Sequence, residues 1–290
     1  MLSSLSKVKH KIMYEIISSG WLIVTLIALI FSSYYIGYLF RRKTFPSNVY
    51  EFSLDFFVGQ VILSLFSILI SLVFEWKVRL IILIILILFT AIKGVNTLYI
   101  NRHDFKFNLT SFQKFLLTLV LLFVVVYLFK SFVRPYTYDD VVYHLPVVKE
   151  ISKGLVSFPL LKDNPMLDFY KPFSVFYGSL PYASEGFASI LYTISFSNLN
   201  SVHLIYFANF VLFMLFVYQS LKVDLYIRDG ETRLVTVILV FTLLDVALNI
   251  STGYVDLNIA IYQFVSLVLI VRSIVSRHVG IFYVSLLLFG

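Results

Sequence analysis

Apolar residues in this chain come in long unbroken runs. They fall at about residues 20–40, 52–74, 80–99, 114–133, 201–221, 234–250 and 254–271, and an eighth, 279–290, stops about halfway through a crossing. At 1.5 Å per residue the first seven are near the length that about 30 Å of hydrocarbon demands. Leu, Ile, Val and Phe dominate them without period-2 alternation, so helices are expected rather than an outer-membrane barrel. The predicted architecture is all-α: a polytopic transmembrane helical bundle of about seven full spans plus one incomplete. It forms a single integral-membrane domain over 1–290 and is expected to be truncated at its C-terminus.

The polar intervals set the expected topology. Residues 187–196 are apolar but short, carry Glu185 at their head, and are followed by Ser197-Asn198-Leu199-Asn200-Ser201. If this segment does not cross, Arg41/Arg42/Lys43, Arg102/Lys106/Lys114, Lys222/Arg228/Arg233 and Arg272/Arg277 all share one side. The positive-inside rule makes that side cytoplasmic, against Lys7, Lys9, Lys11, Lys77 and Arg79. Residues 134–200 then form one long extracytoplasmic loop lying on the membrane. Pro146 suits a helix's first turn and Gly154 its end, predicting a juxtamembrane helix near 146–153. Pro159, Pro165, Pro172 and Pro181 break the middle into turns, and 185–196 reads as a second surface-lying helix. Ser251 to Asp256 reads as a tight turn on the same face.

Composition agrees with a membrane protein: 60% of residues are hydrophobic and 13% charged, with a mean hydropathy of +0.91. Soluble domains carry about 25% charged residues. The net charge of +7 lies in short clusters between apolar runs, with no basic stripe or aromatic platform, so nucleic acid is not an expected partner. The absence of cysteine removes disulfides, thiolate zinc sites and cysteine nucleophiles. There is no glycine-rich phosphate loop, His-Glu-x-x-His or Gly-x-Ser-x-Gly, which argues against an ATPase, a zinc protease and a serine hydrolase.

Chemistry gathers at Arg134-Pro135-Tyr136-Thr137-Tyr138-Asp139-Asp140-Val141-Val142-Tyr143-His144-Leu145-Pro146, directly after an apolar run. Ionisable groups at the edge of a hydrocarbon slab are costly and so are functional candidates. Asp139 and Asp140 point in different directions on any regular backbone. One is suited to remove a proton from an attacking hydroxyl while the other binds a metal, caps a helix or pairs with a lysine. Two adjacent like charges need a neutralising cation, for which Lys162, Lys171, Arg134 or a divalent ion such as Mg or Mn is available. His144 suits a metal (with Asp139 and Asp140), a phosphate or a plain interfacial position. Glu185 heads an apolar helix, where the helix dipole alone favours a carboxylate. Asp245 lies inside an apolar run, in a packing, hydrogen-bonding or catalytic role.

The stretch from Tyr138 to Pro146 resembles the bacterial integral-membrane glycosyltransferases of the GT-C superfamily, relatives of protein O-mannosyltransferases and aminoarabinose transferases. Their pattern is an aromatic, an aspartate, three mostly apolar residues and Tyr-His-Leu-Pro just outside a membrane helix. Leu180-Pro181-Tyr182-Ala183-Ser184-Glu185-Gly186 resembles the Pro-x-x-x-Glu segment that follows, and Gly253-Tyr254-Val255-Asp256-Leu257 a Gly-Tyr-Val-Asp-Leu at the start of a later span. The resemblance covers roughly residues 130–275. It implies transfer of a sugar from a polyprenyl-phosphate donor to a glycan, lipid or protein acceptor on the extracytoplasmic face of a bacterial inner membrane, with inversion. On that analogy Asp139 is the base and Asp140 its neighbour or a metal ligand. Tyr143, His144, Glu185 and Asp256 would shape the substrate site, with Lys162 or Lys171 on the departing lipid phosphate. Two other classes compete: a lipid or glycan transporter, which predicts charges and broken helices at mid-bilayer, and a remnant transferase without activity.

Overall fold

The computed structural model describes residues 2–44, 52–100, 109–132, 145–154, 183–198, 200–223, 225–243 and 255–289. They form helices α1 (Leu2–Thr44), α2 (Phe52–Val73), α3 (Trp76–Ile100), α4 (Ser111–Lys130), α5 (Leu145–Lys153), α6 (Ala183–Ile194), α7 (Ser201–Val223), α8 (Gly230–Thr242), α9 (Val255–Ser276) and α10 (Val279–Phe289). Among the described residues there is no strand, only an isolated backbone bridge between Glu75 and Gly154. Six helices contain segments long and apolar enough to cross a membrane: Ile17–Lys43, Phe52–Val73, Trp76–Ile100, Ser111–Lys130, Ser201–Val223 and Leu257–Ser276. The chain is an integral membrane protein.

Side-chain distribution fits lipid as the solvent. On α3, Ile81, Ile85, Leu88, Phe89 and Ile92 form one outward stripe, with Ile85 64% and Ile92 62% exposed. In water such a surface would drive association; against acyl chains it carries no penalty. The interior is correspondingly polar for a membrane protein, and small hydroxyls join the helices. Ser32 of α1 meets Thr90 of α3 at 2.5 Å, and Ser53 of α2 donates to Gln219 Oε1 of α7 at 2.8 Å.

Helices α2 and α7 are the most enclosed of the spans. The α1–α2 crossing is so close that Gly37 and Gly59 face each other backbone to backbone. A Cβ on Gly59 would overlap the Ser33 carbonyl, and one on Gly37 the Asp55 carbonyl. Gly94 serves the same purpose for α3, where a Cβ would run into the Phe31 carbonyl. Between the ends of α1 and α2, Arg41 Nε and Nη2 donate to Asp55 Oδ1 and Oδ2 at 2.5 and 3.0 Å, with both residues buried.

Elsewhere the ends are fixed by capping. Thr110 caps α4 through a reciprocal box with Gln113 and also donates to Glu231 Oε1 of α8 at 3.1 Å. Asp229 caps α8. Hydrogen bonds from the Thr232 hydroxyl and amide and the Glu231 amide hold its carboxyl below the usual carboxylate range, so this cap weakens as pH falls through that lowered value.

Several boundaries differ from the sequence reading. Helix α1 begins at Leu2, well before the apolar run. The span expected at 234–250 is described as helix only over Gly230–Thr242, because Leu243 turns to an extended conformation (ψ 126°). The Thr242 hydroxyl donates to the Leu239 carbonyl there, a local bond that competes with helix continuation. The helix expected near 146–153 is α5, ended by Gly154 at φ +76°. It is not simply laid on the surface, since Leu145, Val147, Val148, Ile151 and Ser152 are buried against α2 and α6.

Candidate functional site

The largest correction concerns α6. The sequence predicts a surface-lying helix at 185–196, yet every residue from Glu185 to Ser195 is buried. This helix packs against α1, α2, α3, α5 and α7. It runs in the same direction as α2: Gly186 sits against Ser64, Ser189 meets Ser67 at 3.0 Å, and Thr193 reaches Arg79 at the start of α3. Ser64 lies nine residues before the end of α2, about 14 Å along its axis. The N-terminal end of α6 is therefore deep in the bundle, and its C-terminal end is level with the turn joining α2 to α3. A short helix buried in protein at membrane depth is a permitted exception to full crossing.

Small residues make this burial possible. Gly186 lets the α6 backbone come within contact of Ser64 and Ile68, and Ser64, Ser67 and Ser71 line α2 on the matching side. The polar atoms of α6 are then satisfied internally. Ser189 Oγ donates to the Gly186 carbonyl at 2.7 Å and Thr193 Oγ1 to the Ser189 carbonyl at 2.6 Å.

Those hydroxyls spend their hydrogens on backbone and keep lone pairs for Arg79. Arg79 Nη1 donates to Thr193 Oγ1 at 2.7 Å, and Nη2 donates to Ser67 and Ser189 Oγ at 2.6 and 2.8 Å. The side chain is fully buried, its Nε has no hydrogen-bond partner, and among the described residues no carboxylate faces it. The sequence reading counts Arg79 as a loop charge; it is an interior cation held by neutral groups. Burying a cation without a counter-ion costs several kcal/mol, so Arg79 is a functional candidate by default.

Glu185 stands in the first turn of α6, as expected, but 3% exposed inside the bundle. The positive end of the helix dipole favours a carboxylate there. Tyr262 of α9 lies within electrostatic range of it and edge-on to Phe57 of α2, with ring centroids 5.7 Å apart. The Tyr262 hydroxyl and both ends of the Gln60 amide, one turn from Ser64 and Phe57, are buried without hydrogen-bond partners. Asn209 of α7 donates to Asn258 of α9, one turn from Tyr262, at 2.9 Å. A carboxylate, an amide and a phenol thus converge on one interior neighbourhood, a set suited to hydrogen-bonding a polar ligand.

Of the other expected site residues, Asp139, Asp140, Tyr143, His144, Lys162 and Lys171 lie outside the described residues, as does Asp245. Asp256 is the second residue of α9, where the sequence reads the end of a turn; its side chain is outside the described set. Among the described residues no group of His, Cys, Asp and Glu is arranged to hold a metal; the metal set considered above (Asp139, Asp140, His144) falls outside them. Gln60, Arg79, Asn209 and Tyr262 were missed by sequence reasoning. Their signal was available in part, since Gln60, Asn209 and Tyr262 are polar residues within long apolar runs and Arg79 heads one.

Comparison with known proteins adds one similarity. Residues 21–156 match the family model described as a domain of unknown function (DUF8201). The matched stretch, less than half of the 290 residues, runs from Trp21 in α1 to just past α5. It takes in the Arg41–Asp55 pair, Arg79 and the Asp139-Asp140 segment and leaves out Glu185. No curated protein and no solved structure matches the chain.

Proposed function

We propose that this protein is a membrane glycosyltransferase of the GT-C kind, moving a sugar from a polyprenyl-phosphate donor to an acceptor at the extracytoplasmic face with inversion. The observation that carries the reading is Glu185, a carboxylate of the Pro-x-x-x-Glu segment, buried at the inner end of α6 within electrostatic range of Tyr262, on a helix that packs against α2 one turn from Gln60. An ionisable group at that depth marks a functional site by default, and hydrogen-bonding groups left without partners suit a hydroxyl-rich substrate. In this reading Asp139 is the general base and Asp140 its neighbour or, with His144, a ligand for a divalent cation. Tyr143, Glu185 and Asp256 shape the substrate site, and Lys162 or Lys171 meets the charge developing on the leaving phosphate.

The test is transfer from radiolabelled polyprenyl-phosphate sugars in membranes. Asp139→Asn keeps the size and removes the charge, and is expected to lower turnover by at least about 100-fold, the lower end of what a positioned base contributes. Undiminished turnover removes the base assignment; no transfer by wild type or variant removes the transferase reading.

A second reading has its own support. A half-length helix whose first turn lies deep in the bundle and carries the buried carboxylate of Glu185 fits the broken helices and mid-bilayer charge expected of a lipid or glycan transporter. It predicts movement of labelled lipid between leaflets with no bond broken, measurable in the same membranes.

A further inference from the structure

The opposite end of α6 carries a second, separate feature. A pocket of about 450 Å³ opens where the start of α3 and the ends of α5 and α6 meet. Trp76 of α3, Lys149 and Lys153 of α5, Tyr192 and Thr193 of α6 and Phe196 just beyond it form most of its wall. Thr193 is also the residue on which the buried Arg79 guanidinium ends, so positive charge stands behind the wall as well as on it. Thr193 lies eight residues from Glu185, about 12 Å along the helix. The pocket is therefore not part of the interior neighbourhood around Glu185, and its ligand chemistry is independent of the transferase reading.

Charge around the pocket is positive and only partly compensated among the described residues. Lys153 Nζ donates to Glu150 Oε1 at 2.5 Å, and Glu75 is brought close by the backbone bridge to Gly154. Lys149 pairs with no acid among the described residues. One ammonium without an acid partner among the described residues, backed by a buried guanidinium, matches an anion of one charge. The rim is aromatic and outward-facing: Trp76 is 49% and Phe196 70% exposed. Both lie level with the ends of the spans, where tryptophan and other aromatic rings sit among headgroups. Neither a purely aqueous phosphate site nor an apolar groove combines these features.

We propose that this pocket binds the phosphodiester headgroup of an anionic glycerophospholipid. Lys149 takes the phosphate beside the Lys153–Glu150 pair, Arg79 adds positive potential through Thr193, and Trp76, Tyr192 and Phe196 lie along the glycerol and the first acyl carbons. The lipid fills the seam between α3, α5 and α6 and holds the outer end of the half-length helix in place.

The two tryptophans of the chain make the test direct. With Trp21→Phe, Trp76 is the only one left, and brominated lipids quench it in proportion to their occupancy of the pocket. In vesicles of phosphatidylcholine mixed with phosphatidylglycerol, bromine on the anionic lipid is expected to quench Trp76 with about fivefold preference over bromine on the zwitterionic one, the scale set by basic residues at a membrane surface. Lys149→Gln with Lys153→Gln should abolish the preference, and Lys149→Arg with Lys153→Arg should keep it. Equal quenching by the two lipids, or a preference that survives the glutamine pair, overturns the proposal. So does a preference erased by inorganic phosphate at matched ionic strength, which would give the site to a soluble anion. If Trp21→Phe does not fold, native mass spectrometry of the unsubstituted chain against its glutamine pair reads the same comparison, as retained phosphatidylglycerol over phosphatidylcholine adducts.

Discussion

Gly59→Ala is expected to prevent the bundle from assembling normally, at a cost of about 3 kcal/mol or more. The added methyl meets backbone, the Ser33 carbonyl and the Gly37 amide, so no side-chain rotation makes room for it. Helices α1 and α2 must move apart along their whole contact. In lipid that contact is held by close van der Waals packing rather than by exclusion of water, so separation forfeits most of what joins the pair. The consequences spread, because α2 also supports α5, α6, α7 and α10. Gly20→Ala is the matched control, since a Cβ there meets nothing within 4 Å, and it should leave stability unchanged or slightly raised. The measurement is the recovery of a single species in mild detergent and its thermal midpoint. A Gly59→Ala protein that melts with the wild type would show that the α1–α2 approach is not as close as the glycine pair implies.

The contrast between Gly59 and α6 shows how far the chain could be read before its structure. Membrane helices were legible because length and apolarity are local properties: the runs at 52–74, 80–99, 114–133 and 201–221 became α2, α3, α4 and α7 within a few residues. Helix α5 was legible for a similar reason, with a proline in its first turn and a glycine at its end. Helix α6 was not. Its shortness, the glutamate at its head, the polar residues after it and the charge bias of the flanking clusters kept it on the surface, a reading that holds only if each helix faces lipid alone. Its polar atoms face Ser64, Ser67 and Arg79 instead, and that pairing joins residues more than a hundred positions apart. The same applies to Arg79. One cation at the head of an apolar run looks like a loop charge until the hydroxyls that receive it come from two other helices. For the candidate site, sequence motifs picked out Glu185 and the extent of its helix along the chain, while Gln60 and Tyr262 became visible only through what surrounds them.

Removing Asp55 alone should cost about 3–5 kcal/mol, whereas replacing it together with Arg41 by apolar residues should cost little. The two residues are tied by a two-point pair, Arg41 Nε and Nη2 to the two Asp55 oxygens. Each also sits where a helix end favours it, Arg41 in the last turn of α1 and Asp55 in the first turn of α2. Asp55→Leu leaves the guanidinium buried with that compensation gone, and the desolvation already incurred cannot be recovered because Arg41 is only 4% exposed. In Arg41→Met with Asp55→Leu neither charge needs to be desolvated, and the new side chains fill comparable volume. The order of thermal midpoints in detergent should therefore be wild type and double variant close together, with Asp55→Leu far below. A double variant as unstable as the single one would mean that the pair does more than neutralise itself, and that other polar groups at this end of the bundle depend on its charges.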